Sequence, residues 1–244
     1  AEILKMSSAS AEVSKHALNA FLATSVIFIN EIADICERVG ADVLDVARAL
    51  RSDPRIGQKA FLDPGLGFSG GTLGRDLRVL TAVSKNFNMN PLVINSVYKE
   101  NVSRKNLVMN RLILELGSVR GKTIAILGLT YKAGTKTLRR SRALEIAKDL
   151  SGAGALVRLH DPSAEKKEIP SMENTIFFLD PYEAAASAHA VVLITPWPEF
   201  KNLDFRKLKN KTQPPNLFFD TSNFLSDKMA DIRSIGFTYI GIGR

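Results

Sequence analysis

Cysteine and histidine are scarce in this 244-residue sequence, which contains only Cys36 and three scattered histidines. A single cysteine excludes a disulfide framework and a zinc site built from several thiolates, and three separated histidines do not indicate a metal site. Cys36 falls on an apolar helical stripe, so we interpret it as a buried structural thiol. The sequence therefore favours a reducing, cytoplasmic setting and no bound metal.

Long apolar runs and a secretory signal are also missing. No stretch of about 18 consecutive apolar residues occurs, so we expect no segment that crosses a membrane. No apolar signal segment with a cleavage site opens the chain. Apolar residues nevertheless make up 45% of the sequence, which is typical of a globular protein.

Acidic residues are fewer than basic ones, at 25 against 33, which gives a formal net charge of +8. Such a balance favours anionic partners, which include nucleic acid and phosphate-bearing ligands. The sequence has no RNA-binding motif with paired aromatics and no zinc finger. A solvated basic surface or a phosphate-bearing small ligand is therefore favoured, and a basic nucleic-acid binder is the remaining alternative.

The first half of the chain has the apolar spacing of helices. Residues 11–40 form a first helix that ends at Gly40, and residues 41–50 and 73–87 form two more. A long helix is predicted over residues 91–116, with Pro91 in its first turn and a polar middle. A helix of that length spans a whole domain, so we interpret it as a connector between two bodies or as a dimer spine.

The second half alternates strands with helices. Strands are predicted over residues 123–127, 156–160, 190–195, 217–220 and 240–243, and helices over residues 141–150 and 180–188. This alternation predicts a parallel sheet with helices on both faces, in which ligands bind beyond the carboxyl ends of the strands. The predicted class is α/β, with an all-helical domain over residues 1–118 joined by the long helix to a Rossmann-like domain over residues 119–244.

Residues 65–76, hereafter the glycine loop, are the most unusual stretch, with five glycines among twelve residues. Such a loop lets the backbone approach a ligand and point N–H groups at it, although a flexible surface loop is the alternative. It is not a nucleotide-binding Walker loop, because no Gly-Lys-Ser/Thr ends it.

Two pairs of polar residues are further candidates. Lys15 and Asn19 share a helix face and could hold a water or stabilise an oxyanion, or could form an exposed polar face. Lys132 and Arg139 could reach a phosphate at the sheet edge, or could be ordinary surface cations. The stretch 128–134, which follows a predicted strand, lacks the G-x-G-x-x-G spacing, so we expect no complete NAD site in this sequence.

These stretches, taken in order, resemble the UDP-glucose/GDP-mannose dehydrogenase family. The matching stretches are residues 10–24, 28–32, 55–57, 65–76, 128–132, 138–141, 161–162, 197–200 and 236–243. Members of the family have an N-terminal NAD-binding domain, a central helical dimerisation domain and a C-terminal sugar-nucleotide domain. The chain resembles the last two, which implies a homodimer, a UDP- or GDP-sugar as substrate, and NAD bound mainly by a domain outside this sequence.

The resemblance also implies roles for particular residues. The family oxidises a C6 alcohol twice, and a cysteine thiolate traps the intermediate aldehyde, but the matching position here is Thr72. Lys15, Asn19 and Asp76 match the remaining polar catalytic group, which orders water and stabilises an alkoxide. The implied cofactor contacts are Lys132 and Arg139, and the implied substrate contacts are Arg55, Phe68, Gly70, Gly71 and Lys132.

Two interpretations follow from the resemblance. The first is the C-terminal part of an NAD-dependent nucleotide-sugar 6-dehydrogenase, with a course altered by Thr72, such as a single oxidation or a different sugar. The alternative is a module that binds nucleotide sugar and dimerises without catalysis. Thr72 favours the alternative, because a hydroxyl ionises far less than a thiol, whereas the intact spacing of Lys15, Asn19 and Asp76 favours the enzyme.

Overall fold

A computed structural model describes residues 3–244. Five helices come first: α1 (Ser8–Val39), α2 (Val43–Ser52), α3 (Leu73–Asn86), α4 (Leu92–Ser103) and α5 (Asn106–Leu116). The strands that follow are β1 (Thr123–Leu127), β2 (Leu156–His160), β3 (Thr175–Phe177), β4 (Ala190–Leu193), β5 (Leu217–Asp220) and β6 (Thr238–Gly241). The helices between them are α6 (Arg142–Gly152), α7 (Pro181–Ala184), α8 (Phe205–Lys211) and α9 (Met229–Ser234).

The segment predicted as one long helix is two helices, α4 and α5. Arg104 and Lys105 separate them, and the N–H of Leu107 bonds to the carbonyl of Arg104, three residues back instead of four (3.1 Å). The interruption coincides with a buried ion pair, because the Arg104 guanidinium is almost fully buried and contacts the Asp34 carboxylate of α1. The prediction of a single connecting helix is therefore wrong at this point.

The sheet is parallel and its strand order is β3-β2-β1-β4-β5-β6. Leu127 at the end of β1 is in register with His160 of β2 on one side and with Leu193 of β4 on the other. The predictions for β1, β2 and β5 match their residues, whereas β3 was missed because it is a three-residue edge strand. The strand order reverses between β1 and β4, and a ligand crevice is expected there.

The two faces of the sheet carry different residues and different helices. Ile124 and Ile126 of β1 pack in a core cluster that also contains Ile146 of α6, whereas Ala125 and Leu127 face the cluster with α7, α8 and α9. The first cluster continues into the C-terminal part of α1 and into α2 and α5. The helical half and the sheet therefore share one core, and the domain boundary at residue 118 stays a prediction.

The end of the chain fixes the sheet against the first two helices. The carbonyl of Gly243 accepts the N–H of Val43 (3.0 Å), and Gly243 has φ +73°. A Cβ at this position would lie 2.7 Å from a methyl carbon of Val43 and 2.8 Å from the Cβ of Ala33. Glycine is therefore required for this close approach.

Helix α1 bears on the expectation about membranes. It is the one helix within residues 3–244 that is long and apolar enough to cross a membrane, and only 33% of its most apolar window is buried. A single helix of this kind is weak support for a membrane span, because core helices pass the same test. The expectation that no segment crosses a membrane therefore stays a prediction.

Asp161, just after β2, is a buried carboxylate that holds together the loops at the carboxyl edge of the sheet. One of its oxygens accepts the N–H groups of Leu129 (2.6 Å) and Thr130 (3.0 Å) and the indole N–H of Trp197 (3.1 Å). The other accepts the N–H groups of residues 163 and 164 (2.9 and 3.0 Å). Burial opposes ionisation, but these hydrogen bonds hold the pKa of Asp161 below its ordinary value.

We expect the substitution Asp161→Asn to lower the free energy of unfolding by about 3 kcal/mol, because buried hydrogen bonds to a charged acceptor are lost and N–H groups are left unpaired. Trp197 is the only tryptophan and contacts the carboxylate, so its fluorescence reports unfolding in urea. The control is Asp227→Asn, in an exposed pair with Lys201, where a change within about 0.5 kcal/mol is expected.

The stability difference between the original chain and the Asp161→Asn variant should depend on pH. Because the pKa of Asp161 is lowered in the folded protein, its contribution is present above the unfolded-state pKa, about 3.9, and is lost as the pH falls through the folded-state pKa. The difference between the original chain and the Asn variant should therefore shrink in acid. A difference no larger than that of the control at neutral pH would contradict this assignment.

Candidate functional site

Two buried asparagines fix the glycine loop on the helical half. The Asn101 amide accepts the N–H of Phe68 (2.7 Å) and donates to the carbonyl of the same residue (3.0 Å). The Asn30 amide oxygen accepts the N–H of Gly65 (2.7 Å). Gly67 has φ +80°, and a Cβ there would lie 2.3 Å from the amide oxygen of Asn101. The loop is therefore a fixed element rather than a flexible surface loop.

Arginines from the other half of the chain bond to the same loop. Arg142, at the start of α6, donates to the carbonyls of Phe68 (3.3 Å) and Asn101 (3.1 Å). The carbonyl of Arg140 accepts the N–H of Gly70 (3.3 Å), and its guanidinium donates to the carbonyl of Gly71 (3.3 Å). The loop consequently links the helices to the sheet.

A polar cluster forms where α1 crosses the start of α3. Asp76 is fully buried, and one of its oxygens accepts the Asn19 amide (2.5 Å). The other oxygen accepts the Nε–H of Arg75 (2.9 Å) and lies 3.4 Å from Nδ1 of His16. Lys15 is exposed on the same part of α1. These five residues are called the polar cluster below.

The cluster keeps Asp76 ionised. Burial raises the pKa of this carboxyl, but the hydrogen bonds from Asn19 and Arg75 and the positive charges of Arg75 and Lys15 lower it further, so that the pKa lies below its ordinary value. The cluster is therefore an anion surrounded by donors. Such an arrangement can orient water and offer donors to a developing oxyanion.

Thr72 lies one turn before Asp76, at the N-cap of α3. Its carbonyl accepts the N–H of Asp76 (3.1 Å), whereas its side chain is exposed and makes no capping hydrogen bond. A hydroxyl needs an adjacent base to become a nucleophile. Thr72 therefore adjoins the polar cluster in the fold as a neutral hydroxyl.

A crevice of about 260 Å³ lies at the switch point of the sheet, between the loops after β1 and β4. One side is formed by residues 63–67 and Ser69, and the other by residues 130–133, 194–196 and 221–222. Lys132 lines it from an exposed position. This sheet-edge crevice lies where parallel α/β sheets bind ligands, and it brings the glycine loop and Lys132 together.

The structure does not gather all the candidate residues. Arg139 is exposed on the loop before α6. Arg55 is 87% exposed and is paired with Asp53 (2.7 Å), and it lines neither this crevice nor the other described cavities. Phe68, Gly70 and Gly71 lie in the central turn of the glycine loop. No group of three or more metal-ligating side chains occurs within residues 3–244.

The loop after β1 does not fit a dinucleotide. Its N–H groups at Leu129 and Thr130 already donate to the Asp161 carboxylate, so an internal anion occupies the place where a pyrophosphate would bind. A Cβ at Gly128 would lie 2.3 Å from the carbonyl oxygen of Thr195, so this loop packs on the loop after β4. The geometry agrees with the missing G-x-G-x-x-G spacing.

Sequence reasoning missed several residues of the site. His16 adjoins Lys15 in the sequence, and it was noted only as an isolated histidine. Asn101 falls in the polar middle of the segment predicted as one helix, and that polarity was the signal for an inward-facing amide. Arg142 belongs to a basic run, residues 139–142, whose buried member could not be distinguished from its exposed neighbours.

We expect Gly67→Ala to lower the free energy of unfolding by about 3 kcal/mol, because its φ disfavours a side chain and the Asn101 clamp must move. Far-UV circular dichroism in a urea titration measures the change. The control is Gly152→Ala, where no heavy atom lies within 4 Å and φ is not positive, so no loss is expected. Equal stability of both variants would contradict the clamp.

Comparisons with known proteins give the family. Residues 9–103 match the model for the central domain of the UDP-glucose/GDP-mannose dehydrogenase family, and residues 125–227 match its UDP binding domain. A UDP-glucose 6-dehydrogenase from Rhizobium meliloti is 40% identical over 234 residues, which cover 96% of this chain and 53% of that protein. The chain thus spans about half the length of the curated relatives that it matches.

Solved structures agree with this result. A UDP-glucose dehydrogenase from Pyrobaculum islandicum matches with a TM-score of 0.77 at 27% identity. The match covers 87% of this chain and 51% of the length of that protein. An NDP-N-acetyl-D-galactosaminuronic acid dehydrogenase from Methanosarcina mazei shares the fold, with a TM-score of 0.86 at 24% identity. The match covers all of this chain and 52% of the length of that protein. With two domains matched in order, the chain belongs to the UDP-glucose/GDP-mannose dehydrogenase family.

Proposed function

We propose that this chain is the substrate-binding and dimerising part of an NAD-dependent nucleotide-sugar 6-dehydrogenase. The observation that carries the proposal is the sheet-edge crevice, which lies at the switch point within the matched UDP binding domain and adjoins the glycine loop. The relatives named as UDP-glucose 6-dehydrogenases support the substrate class, a UDP- or GDP-sugar. The same reaction class supports a cytoplasmic location.

In this proposal the nucleotide lies in the sheet-edge crevice and the sugar extends along the glycine loop. Lys132 and Arg142 are the cations that line the crevice. The exposed Lys132 would bind the diphosphate as a point charge. Phe68, Gly70 and Gly71 form the turn beyond it, and no side chain at the two glycines obstructs a ligand. The sugar then approaches the N-terminal end of α3, where Thr72 and Asp76 lie.

The polar cluster has the groups that a C6 alcohol needs when it loses its proton. Asp76 stays ionised and fixes the Asn19 amide, and Lys15 supplies positive charge nearby. We propose that Lys15 and Asn19 stabilise the developing alkoxide and that an ordered water carries its proton away. Asp76 then acts as the anchor of the cluster, because both of its oxygens already accept donors.

Thr72 distinguishes this chain from the family pattern. Its exposed hydroxyl has no capping hydrogen bond and would form an oxyester instead of a thioester. We therefore propose that the covalent second oxidation is altered or absent. The alternative function, a non-catalytic module that binds nucleotide sugar and dimerises, is favoured by the same observation, whereas the assembled polar cluster favours the enzyme.

NAD is the proposed oxidant, and it accepts the hydride when bound. The loop after β1 offers no dinucleotide site, so we propose that NAD is bound mainly by residues beyond this chain. Lys132 and Arg139, both exposed at the sheet edge, are the proposed contacts from this part of the protein. Arg55 pairs with Asp53 and does not line the crevice, so its role as a substrate contact stays a prediction.

The first test is calorimetric titration of the chain with UDP-glucose, UDP and GDP-mannose. Binding of one nucleotide with a dissociation constant on the order of micromolar is expected, and Lys132→Ala should weaken it about tenfold by removing a charge-assisted contact. Lys211→Ala, an exposed lysine on α8, is the matched control and should leave the affinity unchanged.

Two outcomes would contradict the proposal. The absence of binding for all three nucleotides would leave the chain without the proposed substrate site. Reduction of NAD by the chain alone with any nucleotide sugar would also contradict it, because the proposal places the main dinucleotide site outside this sequence. Nucleotide binding with no NAD reduction by the longer protein would favour the non-catalytic alternative.

We also propose that α1 forms a homodimer contact. Apolar side chains recur at intervals of three, four or seven residues along one exposed face of this helix, and each is between 46% and 70% exposed. They are Leu18, Phe21, Phe28, Ile35 and Val39. Spacing of this kind presents a continuous apolar stripe to a partner helix, and the match to the family's central domain favours a second copy as the partner.

Phe21→Glu should convert the dimer to a monomer, because it places a charge in the middle of the stripe. Size-exclusion chromatography with light scattering measures the mass. Phe87→Glu, at the end of α3 and 72% exposed, is the control and should leave the dimer intact. If the original chain is monomeric at every concentration tested, the proposed contact is wrong.

A further inference from the structure

A second crevice, of about 400 Å³, lies on the other side of the central turn of the glycine loop. It is bounded by α3, α4 and the start of α6, and it shares only Ser69 and Arg142 with the sheet-edge crevice. Five cationic side chains line this basic crevice, against one carboxylate, Glu145. The cations are Arg75, Arg78, Lys105, Arg140 and Arg142.

The basic crevice keeps a positive charge after its ion pairs are counted. Arg75 pairs with Asp76, Lys105 with Asp149 (3.1 Å), and Arg142 with Glu145 (3.2 Å). Five cations and three carboxylates leave a net charge of +2. Neither Arg78 nor Arg140 has a carboxylate partner within residues 3–244. An anion with two negative charges would balance the site.

The Arg142 side chain is buried and held in place at the wall of this crevice. Its side chain is only 10% exposed, and its Nε, although buried, has no hydrogen-bond partner in the described part of the chain. The carbonyls of Phe68 in the glycine loop and of Asn101 in α4, together with Glu145, fix the rest of the guanidinium. These contacts within the chain fix the position of the guanidinium at the wall of the crevice.

The backbone of Arg140 is also unusual. It has φ +57°, a left-handed conformation that non-glycine residues seldom adopt. The conformation is stabilised by hydrogen bonds between Arg140 and the glycine loop, at Gly70 and Gly71 (both 3.3 Å). Its guanidinium is thereby placed over the glycine loop, at the wall of the basic crevice. Local strain of this kind is retained where surrounding contacts determine the position of a side chain.

We propose that the basic crevice is a second binding site that takes a diphosphate group. The donors are the guanidinium groups of Arg78, Arg140 and Arg142, whose planar shape suits phosphate oxygens. The half-buried ring of Tyr98 also lines the crevice and offers a surface for the rest of such a ligand. The diphosphate has two sources, a dinucleotide such as NAD or a second nucleotide sugar.

The test is calorimetric titration of the whole chain with inorganic pyrophosphate at low ionic strength. We expect saturable binding, and the double variant Arg78→Ala/Arg140→Ala should weaken it roughly tenfold for each arginine removed. The control Arg206→Ala/Lys211→Ala removes the same charge from exposed positions on α8 and should have little effect. Lys132→Ala removes the proposed diphosphate contact of the sheet-edge crevice, so the saturable binding that persists in this variant belongs to the basic crevice, and the competition below is measured with it.

Competition identifies the source of the diphosphate. Displacement of pyrophosphate by ADP-ribose would assign the basic crevice to a dinucleotide, and displacement by UDP would assign it to a nucleotide sugar. If pyrophosphate does not bind, or if both double variants weaken it equally, the second site is overturned and the cations form only a basic surface. UDP-glucose binding that depends on Lys132 alone would then still support the proposed function.

Discussion

The glycine loop runs between the helical half and the sheet, and its backbone N–H and carbonyl groups need hydrogen-bond partners there. The positions of both crevices depend on the side chains that supply these partners. Asn30 and Asn101 supply amides from the helices, and Arg142 supplies a guanidinium from the sheet side. Each bond is made by a side chain from a distant part of the sequence. A loop fixed in this way separates the sheet-edge crevice from the basic crevice.

Two buried aspartates have opposite uses in this structure. Asp161 accepts hydrogen bonds from backbone N–H groups and an indole, so its negative charge is stabilised by groups of the sheet edge itself. Asp76 is surrounded mainly by three side chains from α1 and α3, Asn19, His16 and Arg75, and each is partly open to solvent. A carboxylate held by partly exposed side-chain donors at a helix start can influence a ligand, whereas one held by buried backbone N–H groups positions loops.

The sequence predicted most of the fold because apolar periodicity is a local property. Strands β1, β2 and β5 were predicted at their observed residues. β1 and β5 are runs of mostly buried residues, and β2 is a mostly apolar run with an exposed first residue, each bounded by turn signals. The predictions were wrong where distant contacts decide. The break at Arg104 follows from a partner on α1, seventy residues earlier in the chain, and β3 is too short for its pattern to be read.

For the candidate site, the sequence by itself determined the residue types and their spacing: the glycines of residues 65–76, the pair Lys15 and Asn19, and the threonine before Asp76. It also determined that residues 128–134 lack the G-x-G-x-x-G spacing. Only the tertiary structure decided that His16 and Arg75 join Asp76, that Arg55 lies apart, and that the basic run of residues 139–142 divides between surface and crevice. Burial and charge pairing depend on which segments of the chain pack together. The spacing of residues along the chain does not specify that packing.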